Sequence, residues 1–147
     1  MHKLFRGWIV ACLFLAHAAV AMAALPAATL YKTPGCTCCD QYVTYLRANG
    51  FSVKVVESTN MDGVKKWFGS DKVASCHSML IGGYVVEGHV PVAAIRKMLA
   101  ELPHITGIAV PGMPDNAPGM GPEIKGTLKV VEFVKGQTGT PKVFAVE

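Results

Sequence analysis

Thr33-Pro34-Gly35-Cys36-Thr37-Cys38-Cys39-Asp40 decides how the rest of the chain is read. A short apolar run, Thr29, Leu30 and Tyr31, comes just before it, and a helical pattern, Tyr42, Val43 and Leu46, follows. Strand, Pro-Gly turn, cysteines, helix: that order puts three thiols at a helix N-terminus. There the unpaired backbone N–H groups and the helix dipole favour thiolate over thiol. Thiolate is the form that attacks disulfides and the form that binds metal. Cys36 and Cys39 have the Cys-Xaa-Xaa-Cys spacing of a thioredoxin-type redox motif, and Cys38 is surplus to it. A purely structural disulfide is the plainer alternative. Adjacent Cys38 and Cys39 suit each other poorly as partners, because neighbours in a trans chain rarely reach disulfide geometry.

The first residues read as an export signal. His2, Lys3 and Arg6 form a basic head, Trp8 to Val20 is apolar, and Ala21-Met22-Ala23 offers small residues at cleavage spacing. The apolar run is long enough to span a bilayer, but its Ala-rich end predicts a signal peptide over 1–24 that is cleaved. A periplasmic chain of residues 25–147, not held in a membrane, is then expected. Lys3, Arg6 and Cys12 leave with the signal, so 14 basic residues become 12 against 10 acidic ones and the net charge falls from +4 to +2. That balance is too small to point to nucleic acid. Cys36, Cys38, Cys39 and Cys76 remain, in an oxidising compartment where thiols are paired, liganded or catalytic.

Residues 25–147 are expected to form one α/β domain in the order βαβαββα, then a long loop, then a hairpin. Asp40 to Asn49 reads as a helix ended by Gly50, and Phe51, Val53 and Val55 alternate as a half-buried strand. Thr59 or Asn60 can cap a second helix with Val64, Trp67 and Phe68 on its buried side. Met79-Leu80-Ile81, Gly82-Gly83 and Tyr84-Val85-Val86 signal a tight hairpin. Pro91 opens a third helix carrying Ile95, Met98, Leu99 and Leu102. Residues 104–126 are dense in Gly and Pro, with Met113 and Met120, and read as a structureless functional loop. Two strands over Leu128–Phe133 and Lys142–Val146 close the chain, and the loop must return this hairpin to the domain.

Ser75-Cys76-His77-Ser78 precedes the third strand. In a thioredoxin-like sheet this segment lies against the Cys-Xaa-Xaa-Cys turn and usually carries a cis-proline; here a cysteine and a histidine stand in its place. Cys76 is therefore expected beside the other three sulfurs. His77 reads either as an exposed strand-start residue or as a ligand, and His89 either as a core-edge residue or as a ligand. His104 reads as a surface residue.

Thr33 to Cys39, Ser75-Cys76-His77, Glu87-Gly88-His89-Val90-Pro91 and Val110-Pro111-Gly112-Met113-Pro114 occur in one order over residues 29–121. Together they resemble the CopG-type periplasmic copper-resistance proteins, thioredoxin-like metal-binding proteins with a Cys-Xaa-Cys-Cys motif. Thr37 replaces the family's usual glycine inside that motif. The resemblance implies a polynuclear copper–thiolate cluster, a part in copper detoxification or copper redox chemistry, and exchange with another periplasmic copper-handling protein.

The donor chemistry points the same way. Soft thiolates favour Cu(I), with zinc as competitor. A closed tetrahedral zinc site needs four converging ligands, whereas side chains of adjacent Cys38 and Cys39 diverge and suit thiolates bridging several Cu(I) ions. Cys36, Cys38, Cys39 and Cys76 are the expected ligands, with His77, His89, Met113 and Met120 as further donors. Without metal the expected disulfides are Cys36–Cys39 and Cys38–Cys76, one of three pairings open to four cysteines. The alternative function is a thiol–disulfide oxidoreductase, with Cys36 attacking and Cys39 resolving.

Overall fold

The structure, a computed structural model, describes residues 24–147. The expected signal peptide and Cys12 therefore lie outside the described residues. Seven strands and three helices follow in the order β1 (Ala28–Lys32), α1 (Thr37–Ala48), β2 (Val53–Glu57), α2 (Met61–Phe68), β3 (His77–Ile81), β4 (Tyr84–Glu87), α3 (Val92–Glu101), β5 (Gly107–Ala109), β6 (Lys129–Phe133) and β7 (Lys142–Val146). A single 3-10 turn, Asp71–Val73, links α2 to β3.

The strands form one mixed sheet in the order β2-β1-β3-β4-β5-β6-β7. β1 is parallel to β2, as the α1 crossover requires, and antiparallel to β3 with Lys32 opposite His77. β3 and β4 are a hairpin whose Gly82 and Gly83 both have positive φ, the conformation a two-residue turn needs. One face of the sheet holds the main core, where Leu30, Met79 and Ile108 pack with Tyr42 and Leu46 of α1 and Ile95 and Met98 of α3. The other face holds a smaller core of Phe68, Val73, Val85, Ala109 and Phe133.

Three expectations need correction. Residues 104–126 are not structureless, because Gly107–Ala109 forms β5, parallel to β4 and antiparallel to β6. It is three residues long and buried on both faces, so it shows neither length nor alternation in the sequence. β5 also makes the β6–β7 hairpin a continuation of the sheet. Second, Trp67 is 65% exposed. The buried stripe of α2 runs through Val64, Phe68 and Lys65, and at about 100° per residue Trp67 falls off its other flank. Third, Leu102 ends α3 in the left-handed region at φ 48° and is exposed, instead of extending the apolar face.

Gly107 has no room for a side chain: a Cβ there would lie 1.8 Å from the Val85 carbonyl oxygen. Gly107→Ala should therefore part β4 from β5 and cost about 2 kcal/mol, the order of other overpacked sites. Urea unfolding checks this, and an unchanged midpoint would mean that β5 is not part of the sheet.

Candidate metal centre

The turn after β1 is closed by the Cys36 N–H donating to the Thr33 carbonyl at 3.3 Å, with Gly35 at φ 73°. Cys36 is the N-cap of α1 and makes no side-chain capping bond. Cys38 and Cys39 lie in the first helical turn, so three sulfurs gather at one helix end, as expected. Cys36 and Cys39 are joined in a disulfide with Cα atoms 5.4 Å apart, while Cys38 and Cys76 are free thiols. Of the expected pairings the structure contains Cys36–Cys39. The sulfurs of Cys38 and Cys76 are 4.0 Å apart and unbonded.

Because β1 and β3 are antiparallel, the chain entering β3 meets the chain leaving β1 at one end of the sheet. Cys76 Sγ lies there, 3.2 Å from His77 Nδ1 and 3.0 Å from His89 Nε2. Cys38 Sγ is in turn 3.6 Å from Cys36 Sγ. Two donor groups result: Cys36, Cys38, Cys39 and Cys76 in one, and Cys76, His77 and His89 in the other, with the ligand atoms of each within 4.8 Å of one another. Cys76 belongs to both.

The histidines are not exposed; both are fully buried. His89 sits where β4 turns toward α3, and its Nδ1–H donates to the Pro118 carbonyl at 2.6 Å. A carbonyl only accepts, so the neutral ring keeps a lone pair on Nε2, aimed at Cys76 Sγ. His77 packs against the Tyr42 ring at 4.6 Å and the His89 ring at 4.9 Å. Its Nε2 is buried without a hydrogen-bond partner, which is uncommon in a packed interior. Four sulfurs and two imidazoles, one with a nitrogen to spare, fit a soft metal ion better than a redox dithiol alone.

Burial favours the uncharged forms of Cys76, His77 and His89. Burial holds the His77 ring well below its ordinary value, with His89 and Lys65 adding to the effect. Burial likewise lowers His89, against the opposing pull of its bond to Pro118. The Cys76 thiol is pushed up to about 12, first by burial and then by the neighbouring Cys38.

Both methionines lie on the loop that follows β5. Met113 is 58% exposed on the loop beside Ser75, where the Gly112 N–H donates to the Ala74 carbonyl. Met120 is half-buried against the main core. His104 is exposed, as expected.

Two contributors escaped the sequence reading. Tyr42, whose hydroxyl donates to the Val90 carbonyl at 2.7 Å, forms the wall behind both imidazoles. Its place one turn after Cys39 on the inward face of α1 was the signal available. The other is Glu87, fully buried behind the Cys76 segment.

Thiols and imidazoles that converge at one end of the sheet define an α/β protein with a metal-binding donor set. Two solved structures of the copper resistance protein copG, Form 1 and Form 2, each superpose with a TM-score of 0.73 at 36% identity, covering 84% of this chain and 98% of theirs. The chain belongs to the CopG copper-resistance protein family. A family model described as a protein of unknown function, DUF411, matches residues 73–120, which include Cys76, His77 and His89 but not the cysteine turn. No curated protein matches the sequence.

The buried neutral imidazoles give the metal-free chain a defined pH response. With both rings held below 6.5, the unfolded chain binds more protons in acid than the folded one. The stability they contribute is complete above pH 6.5 and is lost as the pH falls through the lowered folded values. The urea midpoint should drop from about pH 7 to about pH 5, before most carboxylates titrate, and His77→Phe should flatten the slope. A flat midpoint in the parent chain would contradict the burial of neutral rings.

Proposed function

We propose that this chain is an exported, thioredoxin-like copper protein that holds several Cu(I) ions in a polynuclear thiolate cluster and contributes to copper resistance. The observation that carries the proposal is the sharing of Cys76 between a four-sulfur group and a sulfur–imidazole group. A single two- or three-coordinate Cu(I) cannot use so many donors, whereas bridging thiolates distribute them over several ions. The copper resistance named in the titles of the two solved relatives supports copper over zinc. The order β2-β1-β3-β4, with α1 and α3 on one face and α2 on the other, supports the thioredoxin-like reading.

Cys36, Cys38, Cys39 and Cys76 supply the thiolates and His77 and His89 the nitrogens. In this reading Met113, exposed on the loop beside Ser75, offers a thioether to arriving copper, and Met120 is a further donor from the same loop. The Cys36–Cys39 disulfide makes the site redox-dependent. Two Cu(II) ions each taking one electron from the Cys36 and Cys39 thiols give two Cu(I), one disulfide and two released protons. In this reading residues 1–24 are a cleaved signal, residues 25–147 are one periplasmic domain, and copper is exchanged with another copper-handling protein. No helix among the described residues is long and apolar enough to cross a membrane.

A thiol–disulfide oxidoreductase is the second reading, favoured by the half-buried Cys36 bonded to the buried Cys39, the arrangement of an attacking and a resolving thiol. Cys76 in place of a proline weakens it, since that proline helps to seat an extended protein partner.

Cu(I) titration against a chromophoric chelator separates the two. Fully reduced chain should bind more than one Cu(I), and disulfide-closed chain fewer. Cys76→Ser and Cys38→Ser should each lower the stoichiometry or weaken affinity by about tenfold or more with the circular dichroism unchanged. Saturation at one ion with all four thiols free would overturn the cluster.

A further inference from the structure

Behind the candidate metal centre lies a buried ion pair that the proposed copper chemistry does not use. Glu87, the last residue of β4, is fully buried, and all four of its contacts are donors. Oε1 accepts from Lys65 Nζ at 2.5 Å and from the Ser75 backbone N–H at 2.7 Å. Oε2 accepts from Ser70 Oγ at 2.8 Å and from Ser78 Oγ at 2.5 Å. Lys65 Nζ also donates to Ser78 Oγ at 3.2 Å, and its side chain is 8% exposed.

Such a pair is poor value as a stabilising device, because desolvating both charges cancels most of their attraction, and apolar side chains of similar volume often do as well. Apolar alternatives surround it in the smaller core. What the pair does have is placement. Ser75 and Ser78 bracket Cys76 and His77, and both are held by the same carboxylate. The Gly88 N–H donates to the His77 carbonyl at 3.0 Å, tying the residue after Glu87 to the same segment. Cys76 itself precedes the first residue of β3, so the strand ladder does not fix it.

We propose that Glu87, neutralised by Lys65, is a positioning residue that holds Cys76 at the junction of the two donor groups. The proposal rests on the reading of the site as a Cu(I) site. Glu87 touches no ligand atom and acts through the Ser75–Ser78 backbone. Outer partners of this kind are worth about 10- to 100-fold in metal affinity elsewhere.

The test is a double-mutant cycle of Glu87→Gln with Cys76→Ser, read by Cu(I) competition on reduced chain, together with amide hydrogen exchange on the metal-free chain. Glu87→Gln should weaken Cu(I) binding about tenfold or more when Cys76 is present and have no further effect in the Cys76→Ser background. Exchange protection should fall at Ser75 and Gly88 while the β1–β3 ladder keeps its own. Parent-level affinity, or an equal loss in both backgrounds, would overturn the proposal, since a merely structural role would act without regard to Cys76. If Glu87→Gln does not fold, Lys65→Met with Glu87→Gln removes both charges and is judged by the same criteria. The exchange arm uses no copper. Failure of the parent chain to bind Cu(I) would refute the reading of the site, and a uniform loss of protection would refute the positioning role.

Discussion

The antiparallel pairing of β1 with β3, Lys32 opposite His77, is the constraint on which the site depends. It makes the exit of one strand and the approach to another meet at a single end of the sheet, where one brings three cysteines and the other a fourth. Antiparallel β4 then returns to the same end and delivers His89. The loop beyond β5 is fastened there through Gly112, to Ala74 and to the Ser75 hydroxyl, and through Pro118 to His89. Gly119 completes the fastening, since a Cβ on it would approach the Tyr42 backbone nitrogen to 2.9 Å. Residues far apart in sequence thus share one site because four backbone segments meet at that end of the sheet.

Burial sets the chemistry of that pocket. A medium that holds two imidazoles neutral and pushes the Cys76 thiol up to about 12 penalises any unpaired charge. A monovalent cation bound by a thiolate leaves little net charge, so the pocket tolerates the pair where it would resist the free thiolate. The softness of the thiols favours a soft ion, and that preference is what the proposed copper reading rests on.

Much of this was legible in the sequence, for reasons that can be named. The cysteine turn announces itself by composition and by its position between an apolar run and a helical pattern. Cys76 could be placed beside it because the order of strands determines which segments meet. β5 was hidden, since Gly107-Ile108-Ala109 is too short to show a period and sits within a stretch that Gly and Pro mark as loop. Trp67 misled because its size suggests burial, while the eight-residue α2 buries Lys65 for the sake of Glu87. Glu87 itself carried no visible signal: a carboxylate at a strand end reads as solvated, and only the converging donors show otherwise.

X-ray absorption at the copper edge, on reduced chain loaded with Cu(I), tests the central claim most directly. The spectrum should be dominated by sulfur scattering, together with a copper–copper shell that only bridged ions can produce. A sulfur shell with no copper neighbour beyond it would contradict bridged ions.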